Sequence, residues 1–199
     1  MNEEGIFDKQ ELLKPENMLL LYARGAFPMA DEKGDIDWYI PEIRTIIPIQ
    51  NFNFPKSLRK YLEKKEFTYR IDDNVMNIIE HCAARKDTWI SDELIDAYFG
   101  LYKLGHVHSV EVFEKNKLIG GLYGVVFRGA FFGESMFSIK SQASKAALIK
   151  LLTHLQNKKF TLLDVQFITD HLKMFGAKEI TFEEYQKLQR EAYSAEVKF

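Results

Sequence analysis

The chain has 199 residues, 46% of them hydrophobic, which is enough to bury one complete core, alone or with a small appended domain. Its 27 basic and 29 acidic side chains give a formal charge of -2, so contact with nucleic acid would require a local basic patch. A single thiol, Cys82, excludes an internal disulfide and a cysteine-based zinc site. The N-terminus lacks the features of a secretory signal, and no apolar run reaches the roughly 20 residues of a membrane span, so we expect a soluble cytoplasmic protein.

The N-terminal part of the chain predicts one helix followed by irregular structure. The helix covers "PENMLLLYARG" and ends at Gly25, because glycine tolerates the left-handed backbone of a helix end. The stretch "FPMADEKGDIDWYIPEIR" is predicted to be irregular, with a break near Pro41. We therefore expect a small N-terminal domain over residues 1–42 and a larger domain over residues 43–199.

Three helices are expected at the start of the larger domain. The first, "NFPKSLRKYLEKKEF", has Asn53 as a candidate cap, Pro55 in its first turn and Leu58 on its apolar face. The second, "DDNVMNIIEHCAAR", follows an aspartate cap, and the third, "SDELIDAYFGLYKLG", is closed by Gly105. Apolar residues recur at helical spacing in the last two, so both should face the core.

From residue 107 the apolar period becomes that of strands. "VHSVEVFEKNKLIGGLYGVVFRGAFFGESMFS" predicts an antiparallel meander of three strands, with tight turns at Lys115-Asn116 and Arg128-Gly129. A long helix over "SQASKAALIKLLTHLQNK", a buried strand "FTLLDVQF", a short helix "DHLKMFG" and a last helix with a capping box of Thr181 and Glu184 follow. The expected fold class is α+β, a sheet packed by helices.

Two of these strands carry polar residues among apolar ones. Alternation places Asp164 and Gln166 on one face of "FTLLDVQF", and Glu134 lies inside "FFGESMFS". An ionised carboxylate is costly to bury unless it is paired or hydrogen-bonded, so such residues mark either a site or a structural network. Converging carboxylates would suit a cationic ligand, such as an Arg or Lys side chain or an amino terminus. In the alternative, a core Lys or Arg neutralises each carboxylate.

The strand "FFGESMFS" also raises a question of geometry. Phe131 and Glu134 have opposite parity, so they face one pocket only if the strand is irregular between them. Gly133 is the natural place for a β-bulge.

Nine segments, in a characteristic order and spacing, carry a resemblance to a known family. They are "LLLYARGAFPM", "IDWYIPEIRTIIP", "TWISDELIDAY", "GHVHSVEVF", "LIGGLYGV", "FFGESMFS", "ASKAAL", "LLDVQ" and "HLKMFGA". The chain resembles the leucyl/phenylalanyl-tRNA protein transferases along nearly its whole length. The resemblance implies transfer of Leu or Phe, with Met as a further candidate, from aminoacyl-tRNA to the N-terminal Arg or Lys of a protein, marking it for degradation. It also implies a GNAT-type acyltransferase fold, with a largely antiparallel sheet, for the larger domain.

The resemblance assigns site residues motif by motif. Asp164 and Gln166 match the acid and amide of the family's reaction centre, and Glu134 matches an acid that lines the same site. Trp89 matches an aromatic residue that contacts the terminal adenosine of the tRNA, and Met29 stands where some members have Trp. The remaining matches, to the apolar pocket for the transferred side chain, are Leu122, Phe131, Gly133, Leu163 and, on a weaker motif, Leu151.

The chemistry requires positioning rather than a metal or cofactor. The donor is an ester that is already activated, and the acceptor is an amine that must be neutral to attack. We expect Glu134 and Asp164 to hold the basic N-terminal residue while Gln166 orients its amine beside the ester. Asp164 could instead act as the base or polarise Gln166, and the sequence leaves these roles open.

A basic helix supplies candidate contacts to tRNA. Lys56, Arg59, Lys60 and Lys64 fall largely outside its apolar stripe, as in an ordinary solvated face or a phosphate-binding face. The resemblance favours the second interpretation. The expected partners are aminoacyl-tRNA and proteins with an N-terminal Arg or Lys, with the enzyme itself a monomer.

Other interpretations are weaker. His106 and His108 could ligate a metal, but no third ligand motif lies nearby, and Trp89 could simply fill the core. A CoA-dependent N-acyltransferase would need a glycine-rich loop before the long helix to bind pyrophosphate, and "SIKSQASKAAL" contains no glycine. A noncatalytic tRNA-binding module would leave Glu134, Asp164 and Gln166 without a purpose.

Overall fold

A computed structural model describes residues 9–199; residues 1–8 of the predicted N-terminal domain lie outside the described residues. The helices are α1 (Lys9–Leu12), α2 (Pro15–Ala23), α3 (Lys56–Leu62), α4 (Val75–Ala83), α5 (Asp92–Lys103), α6 (Ala143–Asn157), α7 (Asp170–Lys173) and α8 (Phe182–Tyr193). The strands are β1 (Phe27–Ala30), β2 (Ile36–Tyr39), β3 (Ile43–Ile46), β4 (Phe67–Ile71), β5 (Val107–Glu114), β6 (Lys117–Phe127), β7 (Ala130–Ser138), β8 (Leu162–Gln166) and β9 (Lys178–Thr181).

The fold is a mixed α+β arrangement around one large sheet. The strand order is β4-β5-β6-β7-β8-β3-β9, and β1 and β2 form a separate antiparallel hairpin. Within the large sheet only β7 and β8 run parallel, and the other neighbours are antiparallel. The expectation of a largely antiparallel sheet packed by helices is therefore confirmed.

The sheet separates two apolar cores, because successive strand residues point to opposite faces. One core contains buried side chains of α2, α4 and α5, and the other contains those of α6. In β7, for example, Phe132 belongs to the first core and Phe131 to the second. Within residues 9–199, no helix combines the length and apolar character needed to cross a membrane.

Several local predictions are confirmed. The meander turns at Lys115-Asn116 and at Arg128, all with positive φ, and the capping box of Thr181 and Glu184 is present. Gly25 and Gly105 follow their helices with φ of 89° and 79°.

Other local predictions are wrong. The stretch predicted to be irregular forms the β1–β2 hairpin and β3. Asn53 does not cap α3, because its side-chain amide donates to the carbonyl of Met174 at 2.6 Å. The cap of α4 is Asn74 rather than an aspartate, and its side chain accepts the backbone N–H of Asn77 at 3.2 Å. β4 and β9 were not predicted either.

Candidate active site

The candidate site begins where the parallel strands β7 and β8 separate. Their paired residues end at Phe132 and Asp164, and both strands then bulge. The register of β7 against β6 skips Glu134, and that of β8 against β3 skips Val165. A bulge bends a strand and redirects its side chains, so the two strands open a gap in the sheet.

Glu134 and Gln166 meet at this gap. Each lies two residues beyond the last pair, so the parallel register brings their side chains to the same place. The side-chain amide of Gln166 donates to Oε1 of Glu134 at 3.1 Å. Gln166 has a φ of 63°, a left-handed conformation that is unusual for a residue other than glycine and that ends β8.

The bulge in β7 depends on a glycine in the neighbouring strand. Gly124 pairs with Gly133, and a Cβ at Gly124 would lie 2.2 Å from the carbonyl oxygen of Phe132 and 2.3 Å from the Phe131 ring. A Cβ at Gly133 would make only ordinary contacts, the nearest at 3.5 Å. The predicted bulge next to Gly133 is confirmed, but the position that demands glycine sterically is Gly124.

A cavity of about 270 Å³ occupies the gap and draws its walls from both faces of the sheet. Its apolar side is formed by leucines of the α6 core, and its polar side includes Glu134 and Tyr123. The predicted site residues in its wall are Trp89, Leu122, Gly133, Glu134, Leu151 and Leu163. Further residues in its wall are Arg85, Ser135, Met136, Leu148, Val165, Thr169, His171 and Leu172.

Besides Asp164, three residues predicted for the pocket or the reaction centre are not in its wall: Phe131, Met29 and Gln166, the last of which reaches the wall only through its hydrogen bond to Glu134. Phe131 is fully buried on the α6 face, where its ring lies 5.5 Å from that of Phe199. The bulge lies beyond Phe131, so it does not turn this side chain toward the cavity. Met29 is half-buried in β1, although the next residue, Ala30, donates its N–H to the carbonyl of Trp89 at 3.1 Å. The hairpin therefore lies beside the wall without forming it.

Asp164 does not face the cavity, because its carboxylate is enclosed by partners. Arg44 donates from Nε and Nη2 at 2.9 and 2.6 Å to Oδ2, and the Tyr185 hydroxyl donates to the same oxygen at 2.6 Å. The backbone N–H of Gln166 donates to Oδ1 at 2.8 Å. Arg44 and Asp164 are both 0% exposed. For Asp164 the alternative of a carboxylate neutralised by a core arginine is confirmed, and its direct contact with the acceptor is not supported.

Glu134 is a different kind of carboxylate. It is 7% exposed, and within residues 9–199 it makes no ion pair. The Tyr98 hydroxyl donates to its Oε2 at 2.8 Å and is itself 3.1 Å from the hydroxyl of Tyr22. Burial raises the pKa of Glu134 to about 7, and the tyrosine hydrogen bonds only partly oppose this shift. The site therefore contains one carboxylate that a cation can still neutralise.

Several residues of the site were missed by the sequence analysis. Arg44 interrupts the apolar run "IRTIIPI", which is the same signal that singled out Asp164, and it was not used. Tyr98 was assigned only to the core, although its hydroxyl holds Glu134. Tyr123 is fully buried in the cavity wall, and its hydroxyl has no hydrogen-bond partner in the described part of the chain. Nothing in the sequence separates it from other strand tyrosines.

The basic helix lies on the α6 side of the sheet. Lys56, Arg59, Lys60 and Lys64 are all exposed, and the neighbouring Tyr61 hydroxyl donates to the carbonyl of Ser141 ahead of α6 at 3.3 Å.

Lys145 of α6 adds a positive charge between this helix and the cavity. It lies beside Tyr61 in a shallow surface groove. Burial, and then the charge of Lys145, lowers the pKa of His171 in the cavity wall. Basic groups thus lie on α3 and, nearer to the cavity, at Lys145.

The two histidines considered as metal ligands have other partners. His106 hydrogen-bonds the carbonyl of Val126 through Nδ1 at 3.0 Å, and His108 Nδ1 lies 2.7 Å from Asp72. Across residues 9–199, no group of three or more His, Cys, Asp or Glu side chains is arranged to hold a metal ion.

Comparison with protein-family models identifies the class of protein. The model described as "Leucyl/phenylalanyl-tRNA protein transferase" matches residues 46–190, and that of the family's N-terminal domain matches residues 11–42. The protein is therefore a transferase. It belongs to the leucyl/phenylalanyl-tRNA protein transferase family, as the sequence motifs predicted.

Solved structures with similar arrangements share little sequence with this chain. A conserved protein from Staphylococcus epidermidis is 8% identical, with a TM-score of 0.45 over 70% of this chain and 57% of that one. L-PGS from Bacillus licheniformis is 14% identical, with a TM-score of 0.44 over 78% and 54%. A GCN5-related N-acetyltransferase-like protein from Streptococcus suis is 16% identical, with a TM-score of 0.41 over 69% and 61%. This chain therefore spans little more than half of the length of these proteins.

Proposed function

We propose that this protein transfers Leu or Phe, with Met as a further candidate, from aminoacyl-tRNA to the N-terminal Arg or Lys of a protein, creating a degradation signal. The observation that carries the proposal is the cavity that joins an apolar compartment to the unpaired carboxylate of Glu134. A GNAT-type fold, domains over residues 1–42 and 43–199, a cytoplasmic location and a monomeric state stay predictions.

The two sides of the cavity suit the two substrates. Leu122, Leu151 and Leu163 offer an apolar compartment to the donor side chain, and its shape would disfavour β-branched residues. Trp89, with Met29 on the adjoining strand, would contact the terminal adenosine. Glu134 then lies across the gap in the sheet, where it would bind the cationic side chain of the acceptor.

The reaction forms a C–N bond and breaks the ester C–O bond to the ribose. The neutral acceptor amine attacks the ester carbonyl, and its proton finally resides on the released ribose hydroxyl. Gln166 is the group beside this step, with its amide already held by Glu134. Asp164 acts as a positioning residue, because it accepts the backbone N–H of Gln166 while Arg44 holds its carboxylate in place.

The N-terminus of α6 argues against the CoA-dependent alternative. The amide of Ala143 donates to the carbonyl of Lys140 at 3.0 Å, and that of Ser144 donates to the Ser138 hydroxyl at 3.3 Å. Amides that are already bonded offer less to a pyrophosphate. The aminoacyl-tRNA reaction remains the function that the site supports best.

The proposed reaction is tested with radiolabelled Leu-tRNA and two peptides that differ only in an N-terminal Arg or Ala. We expect label on the Arg peptide alone. The variant Gln166→Ala should lower kcat about 10²-fold with little change in the affinity for Leu-tRNA, since misplacement of a reacting group has a cost of this order. The matched control is Gln186→Ala, because Gln186 is an exposed amide on α8. An unlabelled Arg peptide would refute the function, and full activity of Gln166→Ala would refute the role of that residue.

The basic helix is tested through its salt dependence. The double reversal Arg59→Glu and Lys60→Glu should raise the Kd for Leu-tRNA at physiological salt by tenfold or more, because each phosphate contact releases counterions. It should also flatten the slope of log Kd against log salt. Reversal of Lys117 and Lys198, two exposed lysines elsewhere on the chain, serves as the control. An unchanged slope in the α3 variant would show that its charges belong to a solvated face.

A further inference from the structure

A pair of exposed aromatic rings lies next to the candidate site. Tyr39 of β2 and Phe167, which follows β8, are 42% and 48% exposed. Both pack on the buried ring of Phe27, with centroids 6.2 and 5.5 Å away. We call Tyr39 and Phe167 the aromatic rim. Exposed aromatic side chains on a shared support are typical of surfaces that bind other molecules.

The aromatic rim is continuous with the reaction centre. Phe167 directly follows Gln166, and Val165 and Thr169 on either side of it line the cavity. Its support is also shared, because the guanidinium of Arg44 lies 4.6 Å from the centre of the Phe27 ring. A ligand that reaches from the cavity past Gln166 can therefore contact the rim.

The hairpin that carries Tyr39 is acidic. Exposed residues of the hairpin and its flanks, from 31 to 42, include one lysine, Lys33, against five acids: Asp31, Glu32, Asp35, Asp37 and Glu42. Asp37 is paired with Lys9, most of the other acids lie at the hairpin turn, and of these others Glu42 is the closest to Tyr39 in sequence. The hairpin as a whole therefore disfavours the phosphate backbone of the tRNA, which the basic α3 on the opposite side of the sheet attracts, and it leaves the neutral adenine base free to contact Trp89. A neutral or cationic polypeptide meets no such repulsion at the rim.

We propose that the aromatic rim binds the residues that immediately follow the N-terminal Arg or Lys of the acceptor protein, in an extended conformation. This inference rests on the proposed function. With the first residue at Glu134, which Gln166 contacts, the residues that follow it in an extended acceptor pass Phe167, the residue directly after Gln166. Apolar side chains at these positions would pack on Tyr39 and Phe167. The protein therefore selects acceptors by more than their first residue.

The test compares two acceptor peptides, Arg-Phe-Leu-Phe and Arg-Gly-Ser-Gly, each with the same fluorescent C-terminal tail. Transfer from Leu-tRNA gives kcat and KM, and fluorescence polarisation gives the Kd of each peptide without any reaction. We expect the wild type to favour the apolar peptide by about tenfold in KM and Kd, as expected for aromatic anchors. The double variant Tyr39→Ser and Phe167→Ser should abolish this preference and leave the KM for Leu-tRNA unchanged.

The control is Ile139→Ser, since Ile139 is 64% exposed and follows β7 on the way to α6. It should behave as the wild type does. Equal affinity of the wild type for both peptides would overturn the inference, and so would a rise in the KM for Leu-tRNA alone, which would assign the rim to the tRNA. If the wild type transfers nothing to either peptide, the proposed function fails. The polarisation data then still decide whether the rim binds apolar peptides.

Discussion

Replacing Arg44 with Met should lower the free energy of unfolding by about 3 to 5 kcal/mol, the usual cost of removing one partner from a buried ion pair. Arg44 and Asp164 are 0% exposed, and the guanidinium makes its two contacts to Oδ2 of Asp164 at 2.9 and 2.6 Å. Methionine preserves much of the packing but leaves the carboxylate uncompensated. Equilibrium urea denaturation at pH 7 measures the change.

Two further variants separate the lost charge pair from general damage. Arg190→Met removes an exposed arginine and should change stability by less than about 0.5 kcal/mol. Adding Asp164→Asn to Arg44→Met should restore part of the lost stability, because a neutral amide is cheaper to bury than an unpaired carboxylate. An Arg44→Met protein within 1 kcal/mol of the wild type would contradict this account of the pair.

Arg44 also connects the N-terminal segment to the site. Its Nη1 donates to the carbonyl of Gly25 at 2.8 Å, just after α2. The same side chain thus touches the end of α2, the ring of Phe27 and the carboxylate that positions Gln166. We infer that the segment between α2 and β3 stabilises the geometry of the site, in addition to supplying Tyr39 of the aromatic rim. Loss of Arg44 should therefore reduce transfer even where the protein remains folded.

The sequence indicated where the candidate site lies because strand periodicity is a local property. Alternation grouped Asp164 with Gln166, and a pocket shared by Phe131 and Glu134 would have needed a bulge between them. The bulge is present at Glu134, but Phe131 packs on the α6 face and does not share the pocket. The parallel register of β7 and β8 then brings Glu134 to Gln166, which alternation within a single strand could not show.

The rest of the site depends on contacts between distant parts of the chain. Arg44 and Asp164 are separated by 120 residues, and no spacing rule reveals that β3 lies beside β8. β3 and β9 are only four residues long, too short for a clear alternating pattern. Consequently the sequence could not decide which carboxylate is neutralised and which is available. That distinction separates the role of Glu134 from that of Asp164.

The contribution of Glu134 to stability should fall as pH rises from about 4.5 to about 7, because the folded state raises the pKa of Glu134 from 4.5 to about 7. In this window the folded protein keeps a proton that the unfolded chain has lost. The stabilising contribution is fully present below pH 4.5 and is lost as pH rises through 7. A pKa shift of this size corresponds to a change in the free energy of unfolding on the order of 3 kcal/mol.

The free energy of unfolding of the wild type and of Glu134→Gln is measured at pH 5, 6, 7 and 8. The difference between the two proteins isolates the contribution of Glu134, since both contain the same other titrating groups. The wild type should lose stability relative to Glu134→Gln between pH 5 and pH 8, whereas Glu93→Gln, which changes an exposed glutamate of α5, should follow the wild type. A constant difference between the wild type and Glu134→Gln would contradict the raised pKa.

The same proton should control binding of the acceptor. A cationic side chain favours ionised Glu134, so the KM for the Arg peptide should fall by about fivefold as pH rises from 6 to 7, by about twofold more to pH 8, and should level off above that. Glu134→Gln should have a high KM at every pH, while its kcat still rises with the neutral fraction of the attacking amine. A KM that keeps its pH dependence in Glu134→Gln would assign the titration to the amine alone and would leave Glu134 without a part in recognising the acceptor.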